Sequence, residues 1–164
     1  MIINIILTLT VVIAVANIIN IIESRRKPKE ISMKVELPGN LPIIALSNNG
    51  NVYNFLLDSG SNISHICPEY FDEINATILG VYEEGKVDGY GATHTGITMC
   101  KADFTDILGN KYTMNLSISE QLSIVSKSIE EETGVKIHGL LGTDFLRQNN
   151  YTIDFKNLVA YPKK

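Results

Sequence analysis

The sequence predicts an all-β domain, a small closed barrel with one or two short helices, preceded by a long apolar helix at the amino terminus. Three observations carry this. From Ile31 onward, short β-like runs alternate with Asn, Gly and Pro turn signals; only two later segments show helical character; and the first 22 residues hold no charged side chain. Many short strands with few helices and no visible repeat are the pattern of a barrel or sandwich rather than of an alternating α/β sheet.

The amino-terminal stretch Ile2 to Ile22 is built from Ile, Leu, Val, Ala and Thr, broken only by the uncharged Asn4, Asn17 and Asn20. As a helix, about 21 such residues would span the roughly 30 Å of a bilayer's hydrocarbon core. The competing reading is a signal peptide cleaved after Ala14-Val15-Ala16. The charged leader such a peptide needs is missing, and the apolar run continues past that point. Arg25, Arg26, Lys27 and Lys29 then form a basic flank around Pro28. By the positive-inside rule, this predicts a single-pass membrane protein whose following domain faces the cytoplasm, in contact with the lipid bilayer. The expected organisation is a transmembrane helix over 1–22, a basic juxtamembrane linker over 23–30 and one folded domain over 31–164.

Within that domain, Ile31 to Leu37 and Leu41 to Leu46 read as strands around Pro38-Gly39-Asn40. Val52 to Leu57 follows Asn48-Asn49-Gly50-Asn51, whose Asn-Gly pair favours a tight hairpin. Pro68 to Ile74 reads as a helical turn, and β-like stretches flank Asp88-Gly89-Tyr90-Gly91. Leu108-Gly109-Asn110-Lys111 predicts another hairpin, leading into Tyr112 to Ile118. Leu122, Val125 and Ile129 lie at helical spacing in Glu120 to Glu132, with Gly134 placed to cap the end. Val135 to Leu141 reads as strand, Thr143 to Gln148 as helix, and Tyr151 to Phe155 with Leu158 to Tyr161 as a closing hairpin.

Composition excludes some functions. The chain has 164 residues, 45% hydrophobic and 20% charged, with a net charge of −4, so it presents no basic field for nucleic acid. Cys67 and Cys100, the two cysteines, lack the spacing of a zinc knuckle or a redox pair and read as buried thiols. His65, His94 and His138 include no i, i+4 pair, so no metal site and no cofactor are predicted.

The string with chemical content is Phe55-Leu56-Leu57-Asp58-Ser59-Gly60-Ser61. A carboxylate at the end of a buried strand is costly unless hydrogen-bonded or used, and Gly60 permits a sharp turn that brings N–H groups to it. Asp-Ser-Gly alone is also ordinary turn chemistry. A second block, Gly139-Leu140-Leu141-Gly142-Thr143-Asp144-Phe145-Leu146, lies some eighty residues on. There an apolar strand ends in glycine directly before a helix start, with Thr143 or Asp144 available as its cap.

The two blocks in this order, with the closing Tyr151 to Tyr161 segment, resemble the retropepsin-like aspartic peptidases, particularly their single-lobe non-viral members. The resemblance covers roughly Ile31 to Tyr161. It implies a closed barrel in which Asp58 is the catalytic carboxylate and Ser59, Gly60 and Ser61 support the active-site loop, Ser59 bonding across to a partner subunit's loop. Gly139 to Gly142 would pass through and brace that loop, and Gly89, Tyr90 and Gly91 would form a mobile flap. Thr143 replaces the Arg that viral members often carry there, so the viral cross-dimer contact is not implied.

Peptide hydrolysis by this route needs two carboxylates sharing one proton, one as base towards water and one as acid towards the carbonyl. Asp-Ser-Gly occurs once, so a homodimer supplying one Asp58 from each protomer is expected, acting on a peptide or protein substrate near the membrane. The alternative is an inactive binding or dimerisation module on the same barrel at the membrane.

Overall fold

The computed structural model describes residues 12–19, 31–32, 34–36, 41–82 and 96–162. The strands are β1 (Ile31–Ser32), β2 (Lys34–Glu36), β3 (Leu41–Asn48), β4 (Asn51–Leu57), β5 (His65–Ile66), β6 (Thr77–Tyr82), β7 (Ile97–Thr105), β8 (Lys111–Ile118), β9 (Gly139–Leu141), β10 (Tyr151–Asp154) and β11 (Val159–Pro162). Residues 12–19 form helix α1, followed by α2 (Glu120–Thr133) and α3 (Thr143–Gln148), with a 3-10 turn over Pro68–Tyr70.

Six strands make the barrel. They run in the order β3-β4-β9-β5-β8-β7, and the ring closes where Ser47 of β3 pairs with Thr105 of β7. β2 extends the sheet beside β3, β6 extends it beside β7, and β1, β11 and β10 form a separate three-stranded sheet. The predicted all-β closed barrel is therefore observed. Its interior is filled by Leu46, Tyr53, Phe55, Ile66, Phe104, Leu116 and Leu141, all buried, with Phe55 and Phe104 meeting edge to face at 5.2 Å.

Local sequence explains the turns. Asn49 and Gly50 both take positive φ, 50° and 83°, as a two-residue hairpin requires, and Asn48 pairs with Asn51 across it. Between β7 and β8, one Asp106 carboxylate oxygen accepts from the Leu108 and Asn110 N–H groups, and the other from Asn110 Nδ2 and the Tyr112 hydroxyl. Ser119 Oγ accepts from Leu122 N at 3.3 Å to cap α2, which ends at Gly134 with φ 73°. Two expectations differ in extent. β9 is only Gly139–Leu141, because the Lys136 and Ile137 carbonyls bond to the side chains of Asn54 and Ser126 instead of a ladder. β5 was not predicted, since two residues are too short to display a period.

The expected single-pass membrane placement is corrected. Of the amino-terminal apolar run, residues 12–19 are described and lie in α1; eight residues give about 12 Å of rise against the roughly 30 Å of a hydrocarbon core. No helix among the described residues is long and apolar enough to cross a membrane. An apolar run specifies hydrophobicity, not continuous helix. The rest of Ile2 to Ile22 and the basic stretch 23–30 lie outside the described residues.

Candidate active site

Asp58 follows directly on β4, a barrel strand hydrogen-bonded on one side to β3 and on the other, in parallel, to β9. Leu57 before it is buried in the core, while Asp58 itself is half-buried and Ser59 and Gly60 are exposed. The strand pairing is carried one step further by Asp58 N, which donates to Leu141 O at 3.0 Å. The carboxylate is oriented by its own loop, where Gly60 N donates to Asp58 Oδ1 at 2.8 Å. A β-carbon on Gly60 would stand 3.1 Å from that oxygen, which is why a residue without one lets the amide approach. An N–H aimed at a carboxylate oxygen fixes the direction in which the group points.

The loop is held from below. Because β9 lies between β4 and β5 in the sheet, the chain from Asp58 to Ser64 must cross the end of β9 to reach β5. The crossing occurs at Gly142, where a β-carbon would fall 2.7 Å from Ile63 O and 2.9 Å from Ser61 O. Gly139 is equally confined, with a β-carbon there 2.2 Å from the Phe55 ring. Hydrogen bonds then lock the crossing. Thr143 donates to Ser61 O through its backbone N–H at 2.8 Å and its hydroxyl at 3.1 Å, and Ser61 Oγ donates to Ile63 O at 2.7 Å.

Asp144 supplies the second lock. Its carboxylate accepts from Ser64 N at 3.0 Å and Ser64 Oγ at 2.7 Å, and Ser64 Oγ in turn accepts from Gly142 N at 3.0 Å. The residue expected as a helix cap thus spends most of its acceptor capacity on the loop. Its remaining local bond is from Phe145 N at 2.7 Å, and the residue at the N-cap position of α3 is Gly142, which has no side-chain cap. Sequence reading passed over Ser64, because no local pattern shows that it meets Asp144 across the fold.

The structure brings Asp58, Ser59, Gly60 and Ser61 together with Gly139 to Gly142. Gly89, Tyr90 and Gly91 lie outside the described residues. Cys67 and Cys100 are buried thiols; burial, with the charge of Glu69 adding, pushes Cys67 up to about 12, and burial alone raises Cys100 to about 11. His138 is half-buried against the rings of Tyr53 and Tyr70, and its Nδ1 accepts from Asn54 N at 2.9 Å. Burial, then the nearby Lys136 charge, lowers its pKa. Among the described residues, no group of three His, Cys, Asp or Glu side chains is arranged to hold a metal ion.

The barrel has a counterpart of the same fold among solved structures. The structure of a retropepsin-like aspartic protease from Rickettsia conorii aligns at a TM-score of 0.52 with 13% identity, over 82% of this chain and 91% of that one. The fold is retropepsin-like. Two further structures align with lower scores. EIAV protease complexed with the inhibitor HBY-793 gives a TM-score of 0.46 at 14% identity, over 68% of this chain and 90% of that one. The retroviral protease-like domain of Ddi1 from Leishmania major gives 0.40 at 10%, over 73% and 92%. No protein-family model and no curated protein sequence matches the chain. In this retropepsin-like barrel the Asp58 loop lies at one end of three adjacent central strands, after β4 and before β5, with β9 between them.

Proposed function

We infer that this chain is an aspartic endopeptidase whose catalytic unit is a homodimer of the barrel with its terminal sheet, each protomer contributing Asp58. The observation that carries this reading is the Asp58 loop itself. A half-buried carboxylate, oriented by the Gly60 N–H, is presented at the end of a core strand on a loop whose next two residues are exposed and whose underside is fixed at Gly142. A loop serving only as a turn would not need that bracing.

The other carboxylates near the two motifs have employment of their own. Asp144 is committed to Ser64 and Phe145. Asp154 closes its own turn, accepting from Lys156 N, Asn157 N and Asn157 Nδ2, and the Asn157 side chain foremost among these bonds holds its pKa below the usual range. The second acid therefore comes from another copy, whose exposed loop meets this one about a two-fold axis. Two carboxylates at close range share one proton. The ionised one takes a proton from water as it attacks the scissile carbonyl, while the protonated one donates to the carbonyl oxygen. Ser59, exposed beside Asp58, bonds to the facing loop in this reading and supports the pairing of the two carboxylates. The substrates are peptides or proteins.

The test is digestion of a diverse peptide mixture by the full chain and by its Asp58→Asn variant, at mildly acidic and neutral pH, with dimerisation followed by ultracentrifugation. Cleavage by the wild type that disappears in a variant still able to dimerise supports the reading. A folded, dimeric wild-type protein that cuts nothing at either pH rejects it.

A further inference from the structure

A cleft of about 380 Å³ opens beside the Asp58 loop, between the start of β5, the start of β7, the end of β8 and the first turn of α2. It is tied to the loop by one contact, because β5 begins at His65 immediately after the crossing and His65 Nε2 lies 3.4 Å from Ser61 Oγ. Three polar residues of its wall, His65, Ser117 and Ser119, are each more than nine-tenths buried and stand beside the apolar Pro68, Ile97 and Ile118. Thr98, Glu120 and Gln121 stand nearer solvent, and among the described residues no Lys or Arg lines it.

Hydroxyl and imidazole groups in the recessed part of the wall disfavour a wholly apolar occupant, which strips them of water and returns no hydrogen bond. The one carboxylate, Glu120, opens α2, where the partial positive charge of the helix amides offsets it. The cleft therefore offers hydrogen bonds without a net charge for a charged occupant to pair with. On the reading that this chain is a peptidase, we propose that the cleft is a substrate subsite selecting an uncharged, hydrogen-bonding side chain of the Asn or Gln kind at one position near the scissile bond. Ser117 and Gln121 act as its specificity-determining residues.

The experiment compares the full-length protein with a Ser117→Ala/Gln121→Leu double variant, both residues lying outside the Asp58 loop. Each is profiled for cleavage of a peptide library, and in parallel each is profiled for equilibrium binding of that library in an Asp58→Asn background, which needs no turnover. The expected result is a preference of about tenfold or more for Asn or Gln over Leu at one position, lost or inverted in the double variant. An apolar preference at every position, or a profile unmoved by the two substitutions, overturns the subsite. If nothing is cleaved but binding shows the expected pattern, the peptidase reading fails and the subsite stands; if cleavage is Asp58-dependent with no polar preference, the subsite fails alone.

Discussion

Gly142 runs so close beneath the active loop that a β-carbon on it would lie 2.7 Å from the carbonyl oxygen of Ile63. The obstacle is backbone on a loop held by Thr143 and by Asp144 through Ser64, so it has little freedom to retreat. Gly142→Ala is expected to destabilise the chain by about 2 to 3 kcal/mol, in the range of overpacked interiors. Equilibrium urea unfolding checks this. Because the strain falls on the Asp58 loop, any proteolytic activity should drop more than the folded fraction does.

Asp144 accepts three hydrogen bonds, two of them from Ser64 across the fold. Asp144→Ala leaves these part-buried donors unpaired, and a loss of about 2 to 3 kcal/mol is expected. Hydrogen exchange of the Ser64 amide should accelerate in the variant, whereas amides in the β7–β8 hairpin should keep their protection relative to the new global stability. Equal acceleration throughout would mean that Asp144 does not hold the crossing locally.

His138 gives the fold a pH dependence whose direction is fixed. Burial and Lys136 lower its pKa in the folded chain, below the roughly 6.5 of an unfolded histidine. As pH falls, the unfolded chain takes the proton first, so this contribution is complete above about pH 6.5 and is lost as pH drops through the lower folded value. Protonation at Nδ1 would also remove the acceptor for Asn54 N. The urea midpoint should therefore fall between about pH 7.5 and 5.5, and His138→Asn, which keeps an acceptor but does not titrate, should show a smaller fall.

Cys67 and Cys100 are buried, and the Cys67 thiol is pushed up to about 12. Cys67 is therefore held as the thiol at pH 8, so the native protein should resist iodoacetamide for hours and react only when urea opens it. Rapid labelling of either thiol in the folded chain would contradict the packing described.

Much of this architecture is legible in the amino-acid order, because its signals are local. Asn49-Gly50 specifies its hairpin, Gly134 stops α2 and Thr143 to Gln148 is helical as expected. Asp58 stands out because a buried strand runs straight into it. The parts that were not legible depend on distant residues meeting. The two-residue strand β5 exists only by lying between β8 and β9, and the Ser64–Asp144 bond joins residues 80 positions apart. The amino-terminal run shows the opposite failure, since its apolar composition implied a bilayer-length helix that the described residues do not form.

The central claim is that two copies share one pair of Asp58 carboxylates, and subunit mixing tests it most directly. Wild-type chain and Asp58→Asn are combined in equal amounts at fixed total concentration, allowed to exchange subunits, and assayed on a peptide the wild type cleaves. A shared dyad leaves only wild-type pairs active, about a quarter of the undiluted activity under random pairing. A residual activity of about half would mean that each chain works with its own carboxylates, contradicting the account.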